Sequence, residues 1–148
     1  MDRLLYESSV SYRGFLIVPF RYATAAGATI YSYGLLCALG YRSRWHRSEN
    51  PAGLFSSTLA GIGAIAREHL DCYGDILIEV DHFARRYVYC DNLIVVCQIG
   101  EKFFYDHYLP TSLEKIAAPR LFGGENECLE WIRRGIDRLQ TQRASDTV

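Results

Sequence analysis

The feature of this sequence that most constrains its fold is an apolar pattern that occurs twice. A tyrosine and three consecutive apolar residues recur at a constant offset, as Tyr12, Leu16, Ile17 and Val18 and again as Tyr89, Leu93, Ile94 and Val95. A helix-like stripe recurs after them, as Ile62, Ile65, His69 and Cys72 and then as Leu129, Ile132, Ile136 and Leu139. Such a pattern predicts a repeated strand-strand-helix unit, because one copy leaves an apolar face that a second copy would cover. The alternative is chance, since any amphipathic strand or helix carries residues of these types.

Length and composition predict a single folded domain. The chain has 148 residues, of which 49% are hydrophobic and 14% aromatic, and this composition favours a sheet with packed rings over disorder. We predict one α+β domain over residues 1–140, with related halves at about residues 10–72 and 85–140, and a flexible tail over residues 141–148. Its architecture is predicted as one antiparallel sheet of about six strands with two main helices packed on one face.

Charge and cysteine content limit the partners and the compartment. With 16 basic and 17 acidic side chains the net charge is −1, so no overall field attracts nucleic acid or an anionic membrane. The uncharged segment 22–41 contains alternating tyrosines, which favours a strand over a membrane span. The five cysteines form no C-x-x-C pair and no export signal is evident. We therefore predict a cytoplasmic protein with reduced thiols, no membrane association and no cofactor, and we disfavour zinc.

Local patterns predict the positions of the main elements. Residues 12–20 and 28–37 predict a hairpin, and Asp91-Asn92 predicts a tight turn between two further strands. Helices are predicted at about residues 57–71 and 125–140. Residues 75–80 are predicted as a strand, although the spacing through Tyr87 also fits a helix.

A basic and aromatic segment is the first candidate site. Four residues make it suitable for binding a phosphate or a single-stranded nucleic acid: Arg42, Arg44, Trp45 and Arg47. Arginine donates forked hydrogen bonds to phosphate oxygens, and an indole ring stacks on bases. The alternative is a solvated strand edge, which the balanced charge of the whole chain favours.

Histidines, acidic residues and cysteines provide two further candidates. A metal-dependent hydrolase would need ligands of the kind found close together in sequence at His69, Asp71, Glu79 and Asp81. The alternative is a helix-end histidine beside surface acids, since this spacing matches no strong ligand motif. A thiolate pair is also possible between one of three cysteines (Cys72, Cys90 and Cys97) and His82 or His107.

The function predicted from these observations is a non-catalytic protein-binding or adaptor module that forms a homodimer. It depends on tyrosines and phenylalanines that alternate along the strands and would present an aromatic sheet face to a protein partner. Nucleic-acid or phosphate binding through residues 42–47 is the first alternative. A metal-dependent hydrolase is the second.

Overall fold

The computed structural model describes residues 2–78 and 80–146, which contain seven strands and two α-helices. In chain order these are β1 (Val10–Tyr12), β2 (Phe15–Ala25), β3 (Ala28–Cys37), α1 (Leu59–Tyr73), β4 (Arg86–Tyr89), β5 (Asn92–Ile99), β6 (Lys102–Tyr108), β7 (Lys115–Ala117) and α2 (Glu125–Asp146). Strands β1 to β3 form one antiparallel sheet and β4 to β7 form another. The predicted α+β class is therefore confirmed.

The two sheets and two helices stack in four layers. Helix α1 packs against the first sheet through a cluster that includes Ile17 and Ile62, and α2 packs against the second sheet through one that includes Ile94 and Ile132. A third apolar cluster joins the two sheets and takes residues from both, among them Leu16. The predicted single sheet of about six strands is wrong, and so is the prediction that both helices lie on one face.

The physical reason for two sheets is that the longest strand is apolar on both faces. In β2, Leu16, Val18 and Phe20 belong to the cluster between the sheets, whereas Phe15 and Ile17 belong to the cluster under α1. Alternate residues of a strand point to opposite faces, so each sheet needs two covers. The other sheet supplies the inner cover and a helix supplies the outer one.

Two equivalent hairpins begin the two sheets. Arg13 and Gly14 connect β1 to β2, while Cys90 and Asp91 connect β4 to β5, and all four residues have positive φ. A two-residue turn with positive φ at both positions matches the twist of an antiparallel pair. Asn92, predicted as the second turn residue, is instead the first residue of β5.

Two segments differ from the sequence-based expectation. Residues 74–78 have no regular structure and Glu79 lies outside the described residues, so the predicted strand is absent from the described part of the segment. Its side chains are not buried as those of a sheet strand would be, because Leu77 is 94% exposed, although Ile76 packs against the cluster under α1. Helix α2 continues to Asp146, beyond the predicted end of that helix at about residue 140. The flexibility of residues 141–148 stays a prediction.

The described ranges 2–78 and 80–146 contain two α-helices, α1 and α2. None of the helices there combines the length and the apolar character that crossing a bilayer requires. Helix α2 is long enough, with 22 residues, but it carries charged side chains along its length.

Candidate functional site

Three side chains of different chemistry meet at one end of the layer between the sheets: His82, Cys97 and Asp106. We name these three residues the convergent cluster. Cys97 is on β5 and Asp106 on the neighbouring strand β6, and Asp106 is only 8% exposed. His82 lies in the segment between α1 and β4. The next residue, Phe83, holds that segment in place, because its ring is buried in the cluster between the sheets.

The three potential ligand atoms surround a common point. Asp106 Oδ2 lies 3.7 Å from His82 Nε2, and Cys97 Sγ lies 4.0 Å from that nitrogen and 4.0 Å from Asp106 Oδ2. The carboxylate and the sulfur thus face the same imidazole nitrogen. In a nucleophilic triad the acid would face one ring nitrogen and the nucleophile the other. The observed arrangement resembles a set of metal ligands more than a triad.

The neighbouring charges favour a protonated His82 when no metal is bound. The Asp106 carboxylate, followed by Cys97, raises the pKa of His82 to about 9, although burial acts in the opposite direction. Lys115 Nζ lies 3.7 Å from the other oxygen of Asp106, Oδ1. The buried carboxylate is therefore balanced by two cationic groups. A metal ion would displace the imidazole proton on binding.

Open space lies beside the cluster on both sides of the Phe104 ring. One cavity, of about 360 Å³, is lined by His82, Cys97, Arg85 and Phe104. The other, of about 490 Å³, is lined by Asp106, Lys115, Arg120, Phe104 and apolar residues. A small molecule could therefore approach the convergent atoms from solvent without displacing the core between the sheets.

The basic and aromatic candidate residues lie in the segment between β3 and α1, and they do not share a common partner. The guanidinium of Arg44 lies 4.5 Å from the centre of the Trp45 ring, and Arg47 donates a 2.7 Å hydrogen bond to Tyr41. Arg42 is exposed. Arg85, which is not part of this segment, lines the cavity beside His82. Anion binding by this segment stays a prediction.

The residues predicted as metal ligands are spread over three places. His69 packs edge-on against Trp45, with ring centres 4.6 Å apart. Asp71 accepts a 2.6 Å hydrogen bond from Tyr12, whereas Asp81 accepts one of 2.6 Å from Ser11. Glu79 lies outside the described residues. The three described candidates thus have separate partners and do not share a site.

Sequence reasoning found part of the convergent cluster. Cys97 with His82 is one of the thiolate pairs considered possible from the sequence, but Asp106 is missing from every predicted set. One sequence feature could have indicated that Asp106 is functional. It is a carboxylate within a strand, and the residues two positions before and after it on the same face, Phe104 and Tyr108, are aromatic. A charged residue at such a position is buried and needs partners, which makes it a candidate for function.

Comparisons with known proteins do not assign a function. No family model, no curated protein and no solved structure matches the chain. Any functional conclusion therefore depends on the chemistry of the convergent cluster and on the cavities around it.

Proposed function

We propose that this protein binds a divalent transition metal, with Zn²⁺ as the preferred ion, through His82, Cys97 and Asp106. The observation that carries the proposal is that one nitrogen, one sulfur and one carboxylate oxygen lie within 4.8 Å of one another. Thiolate and imidazole ligands favour zinc over magnesium or calcium, which prefer oxygen ligands. This proposal replaces the expectation, from cysteine spacing alone, that zinc is disfavoured.

The distances are compatible with a tetrahedral centre. Zinc bonds of about 2.0–2.3 Å place neighbouring ligand atoms roughly 3.3–3.7 Å apart. The observed separations of 3.7, 4.0 and 4.0 Å need to shorten by only a few tenths of an ångström. Lys115 next to Asp106 Oδ1 would orient the carboxylate from outside the ligand set, as second-layer partners commonly do.

His82, Cys97 and Asp106 would hold the metal through three protein ligands, as in zinc sites that keep one position for water. The chemistry that the metal would supply is a lower pKa for that water, which would make it a nucleophile near neutral pH. The reaction class supported by this arrangement is therefore metal-assisted hydrolysis. The class agrees with one alternative from the sequence, although the residues differ.

Protein binding through aromatic sheet faces has less support. Tyr33 and Tyr105 are buried in the clusters under α1 and α2, and Tyr31, Tyr87, Tyr89 and Phe103 pack against those clusters. The chain's own helices cover the faces on which the adaptor prediction depends. Homodimer formation stays a prediction, and the molecular mass in solution tests it.

Metal titration tests the proposed function. We expect protein stripped by a chelator to bind one Zn²⁺ per chain in calorimetry, and Co²⁺ in place of Zn²⁺ to give thiolate-to-cobalt absorption. Cys97→Ser and Asp106→Asn should each weaken binding at least about tenfold, and Cys97→Ser should abolish the absorption. The zinc form should also hydrolyse an activated ester faster than the stripped protein.

The matched control is Cys72→Ser, because Cys72 is an exposed cysteine outside the cluster. It should keep both the affinity and the cobalt absorption. Absence of stoichiometric binding in the unmodified protein, or equal affinity in Cys97→Ser and Cys72→Ser, would contradict the proposal. Metal binding without ester hydrolysis would leave the ligand set standing and remove the proposed reaction.

A further inference from the structure

A third cavity, which we name the Trp45 pocket, lies between α1 and the segment that follows β3. It has a volume of about 500 Å³, and its lining includes Trp45, Ala52, Ile65, Glu68, His69 and Tyr73. This volume is within the range of small-molecule sites, which are largely apolar with a few polar groups that fix orientation. The pocket shares no lining residue with the cavities beside the metal ligands, so its function does not depend on the metal proposal.

The aromatic walls of the Trp45 pocket are held in fixed positions. Trp45 Nε1 donates a 2.9 Å hydrogen bond to the carbonyl oxygen of Tyr73 at the end of α1. The indole meets the His69 ring edge-on at 4.6 Å between centres, and His69 lies 5.3 Å from the Tyr73 ring. Rings fixed in this way bind a planar ligand with little loss of side-chain entropy.

The loop that carries Trp45 is also fixed to the body of the protein. Asp75, just after α1, accepts hydrogen bonds of 2.6 Å from Ser43 Oγ and 2.9 Å from the backbone N–H of Arg44. On its exposed side the indole carries the Arg44 guanidinium at 4.5 Å. The pocket is therefore formed before any ligand arrives.

His69, which lines the pocket, has an unpartnered ring nitrogen. The His69 side chain is 93% buried, since its exposed fraction is 7%, and its Nδ1 makes no hydrogen bond within the described structure. Buried side-chain nitrogen atoms almost always have a partner. Burial lowers the pKa of His69, which keeps the ring neutral at physiological pH. A neutral imidazole can donate one hydrogen bond and accept another, so it needs no charged partner.

We infer that the Trp45 pocket binds a small, uncharged, planar aromatic molecule that carries one hydrogen-bonding atom for His69. The apolar residues Ala52 and Ile65 exclude water from the ring of such a ligand, while Trp45 and Tyr73 contact its faces and edges. Strongly anionic ligands are disfavoured because the carboxylate of Glu68 lines the same pocket.

The test uses benzimidazole, adenine and phenol as probes and the indole N–H signals in nitrogen-15 NMR as the readout. The chain has 2 tryptophans, and Trp131→Phe identifies which signal belongs to Trp45. At least one probe should shift the Trp45 signal saturably and leave that of Trp131 unchanged. His69→Phe keeps a ring of similar shape without the nitrogen and should weaken binding about tenfold, the factor for one lost hydrogen bond.

A second variant separates loss of binding from loss of folding. Ala52→Leu adds a side chain at the wall of the pocket without removing any hydrogen-bonding group and should abolish binding, while circular dichroism shows that the fold is kept. Failure of all three probes to saturate at their solubility limits would overturn the inference. So would unchanged affinity in both His69→Phe and Ala52→Leu, or a shift confined to Trp131.

Discussion

At the scale of single residues, Asn92 organises a polar network inside the second sheet. Its Nδ2 donates hydrogen bonds to the carbonyl oxygens of Tyr89 at 3.3 Å and Cys90 at 2.9 Å, across the β4–β5 turn. Its Oδ1 lies 2.9 Å from His107 Nε2 and accepts the hydrogen bond there. The amide nitrogen of Asn92 already donates to these carbonyl groups, so the amide oxygen, which can only accept, faces His107. His107 must therefore carry its proton on Nε2 and is a neutral donor.

His107 should make the protein less stable in acid. Burial lowers the pKa of His107 from its ordinary value of about 6.5. As the pH falls below that value, the unfolded chain takes up a proton that the native state does not, so the free energy of unfolding decreases. The stability contributed by this group is fully present above about pH 6.5 and is lost toward the lower native pKa.

The measurement is urea unfolding at about pH 7 and about pH 5 for the unmodified protein and for His107→Gln. Glutamine keeps a donor for Asn92 but does not titrate, so the variant should lose less stability between the two pH values. Two other histidines with lowered pKa, His46 and His69, remain in both proteins and set a common background. An equal loss in both proteins would show that His107 is not among the groups responsible.

At the scale of elements, the start of α1 explains why a glycine stands in a helix. Thr58 caps the helix by accepting a 2.9 Å hydrogen bond from the backbone N–H of Gly61, and Ser56 accepts one of 3.2 Å from the N–H of Thr58. Ser56 also pairs through its backbone with Tyr31 of β3, which ties the helix start to the first sheet. A Cβ at position 61 would collide with the Ser56 hydroxyl.

Gly61→Ala should therefore destabilise the protein even though alanine is the better helix former. The gain in helix propensity, about 1 kcal/mol, is smaller than the cost of the clash and the disturbed cap, for which about 1–3 kcal/mol is typical. Gly135→Ala in α2 is the matched control, because its added Cβ meets only Arg138 at 3.9 Å. It should raise the unfolding midpoint in urea, so a rise of similar size in both variants would contradict this account.

The elements also show how far sequence patterns lead. The periodicity of residues 57–71 and 125–140 correctly predicts two helices, which the structure places at Leu59–Tyr73 and Glu125–Asp146. The division into two sheets is not predicted, because an apolar face of a strand looks the same whether a helix or another sheet covers it. The convergent cluster is missed for a similar reason, since His82, Cys97 and Asp106 meet only through strand pairing and a loop without regular structure.

At the scale of the whole molecule, each half contains three consecutive antiparallel strands followed by a helix, and the second half has the additional short strand β7 before its helix. The β1–β2 and β4–β5 hairpins pair Tyr12 with Phe15 and Tyr89 with Asn92, the register that the constant sequence offset predicts. After each third strand an isolated bridge precedes the helix, between Tyr31 and Ser56 and between Phe103 and Phe122. These similarities are compatible with internal duplication, which stays a prediction.

The two helices can also be paired residue by residue, but the offset counted from the isolated bridges differs from the offset expected from the sequence. Counted from the bridges, Ile62 corresponds to Cys128, Ala66 to Ile132 and Leu70 to Ile136, and all six residues are buried. The pairing expected from the sequence, in which Ile62 corresponds to Leu129, is displaced by one position relative to the pairing counted from the bridges. It places the exposed Leu139 opposite the exposed Cys72. Burial at equivalent positions is a stronger guide than residue type, because several apolar residues suit the same inner stripe.

The packing between the sheets should make the two halves unfold together. Leu16 and Val95 lie in the cluster that joins them, and Leu4 of the N-terminal segment donates a 2.7 Å backbone hydrogen bond to Pro110 after β6. Neither sheet can leave the other without exposing this cluster to water. We expect one cooperative transition over the whole chain, as is usual for a single domain of this size.

One tryptophan in each half allows this cooperativity to be measured. Trp45 packs beside α1 and Trp131 is on α2, so Trp131→Phe and Trp45→Phe each leave a fluorescent reporter for one half. In each variant the fluorescence and circular dichroism midpoints in urea should coincide.

Leu16→Ala, at a fully buried position between the sheets, should lower the free energy of unfolding by about 2–5 kcal/mol in both backgrounds. Leu139→Ala, at an exposed position, should change it by less than about 0.5 kcal/mol. A Leu16→Ala effect seen by one reporter and not the other would show that the halves fold as separate units, because the cluster between the sheets would then not couple them.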